Sequence, residues 1–172
     1  MRLKLLLFIL TATFIYSSNA QYFNEVVIDT ALKKEIIIGY CDRNGLSSFE
    51  EFAPFYAEEY ANYEPDKEII KDLQKINTDD ISILIILATW CHDSKEQVPR
   101  FMKVFDETGF DEKKLVMVAV DRQKTAGKMS LSDYQIELVP TFIFYRNKEE
   151  LGRIIETPET TLESDFLNLL KK

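Results

Sequence analysis

The chain has 172 residues, 46% of them hydrophobic and 29% charged, with a formal net charge of −8. Those are ordinary values for one globular domain with a sizeable core. An acidic chain without a basic cluster is a poor match for nucleic acid and gains nothing from an anionic lipid surface.

Residues 1–20 read as a secretory signal. Arg2 and Lys4 supply the charged start, Leu5 to Tyr16 the apolar stretch, and Ser18-Asn19-Ala20 the small residues before a cut. The apolar stretch falls short of the roughly 20 residues a membrane span requires. Losing the two positive charges of Arg2 and Lys4 takes the net charge from −8 to −10. The expectation is an exported protein, periplasmic or secreted, in a compartment that permits disulfides and with no stable membrane span in the mature form.

Residues 21–78 read as a mostly helical extension. Ala31 to Ile38 fits helix or strand, and Gly39 and Asn44-Gly45 punctuate it. Ser47 or Ser48 with Glu50 or Glu51 predicts a capping box. Phe49, Phe52, Phe55, Tyr56, Tyr60 and Tyr63 then recur at helical spacing, as a stripe that suits core contact. Pro54 marks a kink or a second start. Pro65-Asp66 opens another helix, with Ile69, Ile70, Leu73 and Ile76 on one face, and residues 77–80 form the turn after it.

Residues 79–172 alternate between strand and helix. Ile81 to Ala88 is an aliphatic run broken only by Ser82, the mark of a buried strand. Lys95 to Thr108 places Val98, Phe101, Met102 and Phe105 on one helix face, and Gly109 ends it. Leu115 to Val120 is a second buried strand. Residues 128–136 read as a short helix or loop. Thr141–Tyr145 and Leu151–Ile155 form a hairpin across residues 146–149. Thr157-Pro158 predicts the start of a last helix, with Leu162, Phe166, Leu169 and Leu170 inward. The order predicts an α/β domain: a mixed central sheet flanked by helices.

Between the first of these strands and its helix stands Trp90-Cys91-His92-Asp93-Ser94. It holds the only tryptophan, the only histidine and one of the two cysteines, Cys41 being the other. Two cysteines are too few for a disulfide-stapled scaffold, and with one histidine they are too few for a zinc site. Cys91 falls at a helix N-terminus, where backbone N–H groups and the helix dipole favour a thiolate. His92 in its charged form adds to that effect and Asp93 opposes it. Asp93 also suits a helix cap.

These residues, with Pro99, Val120-Asp121, Val139-Pro140-Thr141 and Gly152, resemble the thioredoxin family in order and spacing, over roughly residues 79–171. The pattern is similar to exported bacterial thioredoxin-like proteins with a W-C-x-D-S motif. The resemblance implies a thioredoxin-like fold, a cis peptide bond before Pro140, and thiol–disulfide exchange in cell redox homeostasis. It implies catalytic roles for Cys91 and Ser94, and substrate contact through Trp90, His92, Val139, Pro140 and Thr141. Two positions depart from the family pattern. Ile85 stands where thioredoxins carry a buried aspartate six residues before the nucleophile, and Ser94 stands where they carry the resolving cysteine.

With Ser94 in that place the motif cannot close its own disulfide. Cys91 then opens a substrate disulfide and is released by a second thiol. Cys41 is a candidate remote resolving thiol, a buried spectator or an intermolecular thiol. Protein or small-molecule thiols and disulfides are the expected partners, with no cofactor and no metal. The alternative is a non-catalytic binding or chaperone-like module that holds clients on the cis-proline face. Peroxide reduction fits poorly, because Ala88 occupies the position three residues before the cysteine where peroxiredoxins carry threonine.

Overall fold

The computed structural model describes residues 23–31 and 33–172. The expected signal at residues 1–20 lies outside them. The strands are β1 (Glu25–Asp29), β2 (Lys34–Cys41), β3 (Ile81–Leu87), β4 (Leu115–Ala119), β5 (Thr141–Arg146) and β6 (Glu149–Ile155). The α-helices are α1 (Arg43–Ser48), α2 (Ala53–Asn62), α3 (Lys67–Leu73), α4 (His92–Thr108) and α5 (Leu162–Leu170). Short 3-10 turns cover Glu112–Lys114 and Ser132–Tyr134.

The strands form one mixed sheet in the order β1-β2-β4-β3-β5-β6. β3 and β4 pair in parallel, Ile85 opposite Met117, and α4 makes the crossover between them. β5 is antiparallel to β3, and β6 returns beside it through Asn147 and Lys148, both at positive φ. The predicted strand–helix–strand and hairpin of residues 79–172 are therefore present. The extension adds more than helices. β2 pairs antiparallel with β4, and β1 hangs on β2. Ala31–Ile38 fits either state from local pattern alone, and pairing with β1 decides for strand over residues 34–38.

Side-chain alternation along the buried strands divides the core into two layers. Ile81, Ile83, Ile85 and Leu87 of β3 join one layer, together with side chains from all five α-helices. Leu84, Ile86 and Ala88 join the other, which is covered by residues of the 120–140 connection such as Ala126, Leu131 and Val139. α4 presses Val98, Phe101, Met102 and Phe105 into the first layer as predicted. The aromatic stripe of residues 49–63 also packs there, except Phe55, which stays 38% exposed.

Local chemistry explains the boundaries that moved. The capping box predicted at Ser47 or Ser48 is not formed: those residues end α1, and the helix that carries Phe55, Tyr56 and Tyr60 of the aromatic stripe is α2. Asp42 caps α1 by accepting from Gly45 N–H at 2.8 Å, and α2 starts at Ala53 with Pro54 in its first turn. The last helix starts at Leu162, later than Thr157-Pro158 suggests, because Thr161 accepts from Ser164 N–H and so takes the cap. Asp165 holds the preceding bend, accepting from Glu159 N–H at 2.6 Å and Thr160 Oγ1 at 2.8 Å. Gly152 has φ +148 and lies against α5. A side chain is strained at that φ whatever the space, and a Cβ would also displace Leu169 Cδ2, so the position favours glycine.

Candidate active site

β3 ends at Leu87, and Thr89 and Trp90 form the turn that delivers Cys91 as the N-cap residue of α4. The turn closes through Cys91 N–H donating to Ala88 C=O at 3.0 Å. Cys91, at φ −86 and ψ 134, is extended before the chain turns helical. Asp93 therefore lies in the first turn of α4 and does not cap it. Cys91 is partly exposed, and its Sγ–H donates to the carbonyl of Val139 at 3.1 Å. The Val139–Pro140 peptide bond is cis. Thr141 Oγ1 donates to Leu138 C=O at 2.7 Å and closes that loop.

Ser94 is fully buried, and its Oγ accepts from Ala88 N–H at 3.1 Å. It thus braces the start of the turn from below. Trp90 is half-buried, with its Nε1–H donating to Val120 C=O at 2.9 Å. His92 is exposed and makes no hydrogen bond or ion pair among the described residues. Val139 and Thr141 are 3% and 2% exposed, so they meet the site through their backbone and not their side chains. Ile85 is fully buried in the layer of the α-helices, with no carboxylate in its place.

Trp90, Cys91, Val139, Pro140 and Thr141 are therefore brought together, with His92 at the rim and Ser94 underneath. Cys41 is not with them. It is buried in the helix-covered layer, whereas Cys91 packs against the opposite one. Both thiols are free. Burial, reinforced by the Asp42 charge, pushes the Cys41 thiol up to about 12. A thiol that is inaccessible and held neutral does not react. A small alkylating reagent at neutral pH should thus label the native protein once, at Cys91, and twice after denaturation. Intact mass and peptide mapping check this. The raised value also has a stability consequence. The folded chain holds the proton more tightly, so this contribution is present below the ordinary thiol value near 9 and is lost as pH rises toward about 12.

Several contributors carry no motif signal. Thr89 Oγ1, buried, accepts from Ile37 N–H at 3.2 Å and ties β2 to the turn before Cys91. Only the pairing of β2 into the sheet makes this contact, so no local pattern points to it. Thr89→Val keeps the shape but leaves Ile37 N–H without an acceptor. We expect a loss of about 1–3 kcal/mol in denaturant unfolding, and a smaller one for Thr89→Ser. Arg122 and Lys124 stand at Trp90, 5.0 Å and 5.4 Å from the ring centroid. The Asp121-Arg122-Gln123-Lys124-Thr125 run is the signal that could have found them. Leu138, beside the cis bond, is 44% exposed and adds an apolar surface.

A cleft of about 900 Å³ is lined by residues such as Tyr40, Leu84, Val116 and Tyr145 and lies apart from Trp90, Cys91, Val139 and Pro140.

The Thioredoxin family model matches residues 53–168. No curated protein matches the chain in sequence. Among solved structures, a protein of unknown function from Pseudomonas aeruginosa is 14% identical with a TM-score of 0.53, over 78% of this chain and 91% of that one. An HIV epitope-scaffold is 13% identical with a TM-score of 0.50, over 70% and 82%. A thioredoxin pre-protein from Schistosoma mansoni is 22% identical with a TM-score of 0.38, over 62% and 90%. The family match runs from the start of α2 into α5 and takes in Cys91 and Pro140. This chain belongs to the thioredoxin family.

Proposed function

We propose that the protein is an exported thiol–disulfide exchange protein that works with Cys91 as its single reacting thiol. The observation that carries this reading is the position of Cys91: partly exposed, at the N-terminus of α4, against the Val139 carbonyl, with the second cysteine on the other side of the sheet. The charged and apolar pattern of residues 1–20 supports export.

The chemistry has two steps. The Cys91 thiolate attacks one sulfur of a substrate disulfide. A Cys91–substrate disulfide forms, and the other substrate sulfur leaves as a thiolate. An external thiolate, or a second thiol of the same substrate, then attacks the mixed disulfide. Cys91 leaves as a thiolate and a new disulfide forms outside the protein. No net oxidation of the protein occurs. Ser94 stabilises the turn and takes no electrons. Trp90, next to Cys91 in the chain, and the exposed Leu138, next to Val139, offer apolar surface.

Turnover of a peptide disulfide with and without added thiol tests this. With a symmetrical disulfide of two one-cysteine peptides, a single reacting cysteine releases one peptide thiol per molecule and stops as the mixed disulfide, and added thiol then lets it cycle. Release of two peptide thiols per molecule, with an internal Cys41–Cys91 disulfide left behind, would show a second, resolving cysteine at work.

A further inference from the structure

Arg122 and Lys124 are two cations placed at one indole in a chain of net charge −8. The turn that presents them is built by Asp121. Its Oδ1 accepts from Gln123 N–H at 3.0 Å and Thr125 N–H at 2.8 Å, and its Oδ2 accepts from Thr125 Oγ1 at 2.5 Å. Asp121 N–H also donates to Thr125 C=O at 3.0 Å, and Lys124 takes φ +60 to complete the turn. The Asp121 carboxylate is thus occupied by backbone and hydroxyl donors. Among the described residues neither Arg122 nor Lys124 forms an ion pair, although acidic side chains outnumber basic ones 29 to 21. Trp90 is fixed in turn by its bond to Val120 C=O. A rigid turn therefore holds two unpaired cations around the residue that immediately precedes Cys91.

Two like charges at one ring repel, and an anion between them relieves that repulsion. The cation–π contacts position the side chains without neutralising them. The other charged side chains nearest in sequence to the site are His92, Asp93 and Lys95 on α4 and Glu137 on the loop before Val139. Among the described residues none of them makes an ion pair, and Lys95 packs over the Phe55 ring. We propose that Arg122 and Lys124 form an anion subsite that selects disulfides carrying carboxylates next to the reacting sulfur. This rests on the exchange chemistry of Cys91 for its purpose, but the binding itself does not need the thiol.

Two matched peptides test it, each supplied as a symmetrical disulfide: one with aspartates flanking the cysteine, one with serines. The rate of mixed-disulfide formation on wild type should favour the acidic peptide by roughly tenfold at low salt, and the preference should shrink as salt rises. In Arg122→Gln/Lys124→Gln the ratio of the two rates should fall to about one or below, and Arg122→Lys should retain it. The second readout is free of thiol chemistry. Trp90 is the only tryptophan, so its fluorescence reports occupancy when an acidic peptide with serine in place of cysteine is titrated. The wild type should respond and the double variant should not. Equal rates for both peptides, a ratio that survives in the double variant, or no fluorescence response in the wild type overturns the subsite. A fluorescence response without an adduct on either peptide supports the subsite and overturns the exchange reading instead.

Discussion

Cys91→Ser should lose all covalent capture of disulfide substrates and reduce exchange to the rate of the buffer thiols alone. The hydroxyl is not a nucleophile under conditions where a thiolate is, and among the described residues the other cysteine lies buried on the opposite layer. The fold should be little affected. Cys91 is partly exposed and its one side-chain bond, to Val139 C=O, is one a serine hydroxyl can also make. A stability change within about 1 kcal/mol is expected. Cys41→Ser should show the reverse pattern. Exchange should persist per folded molecule, while stability falls by roughly 1–3 kcal/mol, since a hydroxyl is placed in an apolar layer. Thiol-exchange rates and urea unfolding on the same two variants separate the reacting cysteine from the packed one.

Phe101→Ala should have the largest effect on stability. Phe101 is fully buried on α4, the helix that carries Cys91 at its start. Its ring centroid lies 4.8 Å from that of Phe142, 5.7 Å from Phe166 and 6.0 Å from Phe144. One side chain therefore joins α4 to β5 and α5. Truncation removes the transferred area and leaves a cavity among rings that cannot collapse freely, at a cost of about 3–5 kcal/mol. A domain is stable by about 5–15 kcal/mol in all, so the midpoint of thermal unfolding should drop by roughly ten degrees or more. Phe55→Ala is the control. Phe55 is 38% exposed and supports Lys95 at 4.5 Å, so its loss should cost about 1 kcal/mol or less.

The same two residues show how much of the fold and site was legible in the sequence. Phe101 recurs with Val98, Met102 and Phe105 at helical spacing, and that periodicity reports a buried face directly. Ile83–Ala88 is aliphatic throughout because it is covered on both faces, which is equally local information. Cys91 was legible because a strand end, a tryptophan and a helix start coincide within a few residues, with Pro140 at a matching distance.

What was not legible depends on pairing. Residues 31–38 carry no decisive period. Residues 34–38 become a strand by pairing antiparallel with β1 just before them, and β2 is placed inside the sheet by its continuation, residues 39–41, pairing with β4 far away in sequence. The Thr89–Ile37 bond follows from that pairing and had no signal of its own. Cys41 was open among three roles. Its assignment to the helix-covered layer came from which face of β2 meets the core, and composition carries no such information. Arg122 and Lys124 form no basic cluster in the composition, and their one local signal is the Asp121–Thr125 sequence whose turn brings them to Trp90.

Exchange by this protein turns on Cys91 reacting alone. Its most direct measurement is intact mass of the wild-type protein after incubation with a small disulfide, under conditions that block further exchange. We expect one mixed disulfide per molecule, mapped to Cys91, with Cys41 still a free thiol, and release of the adduct by added thiol. An internal bond between Cys41 and Cys91, or a protein that takes up no adduct, would contradict it.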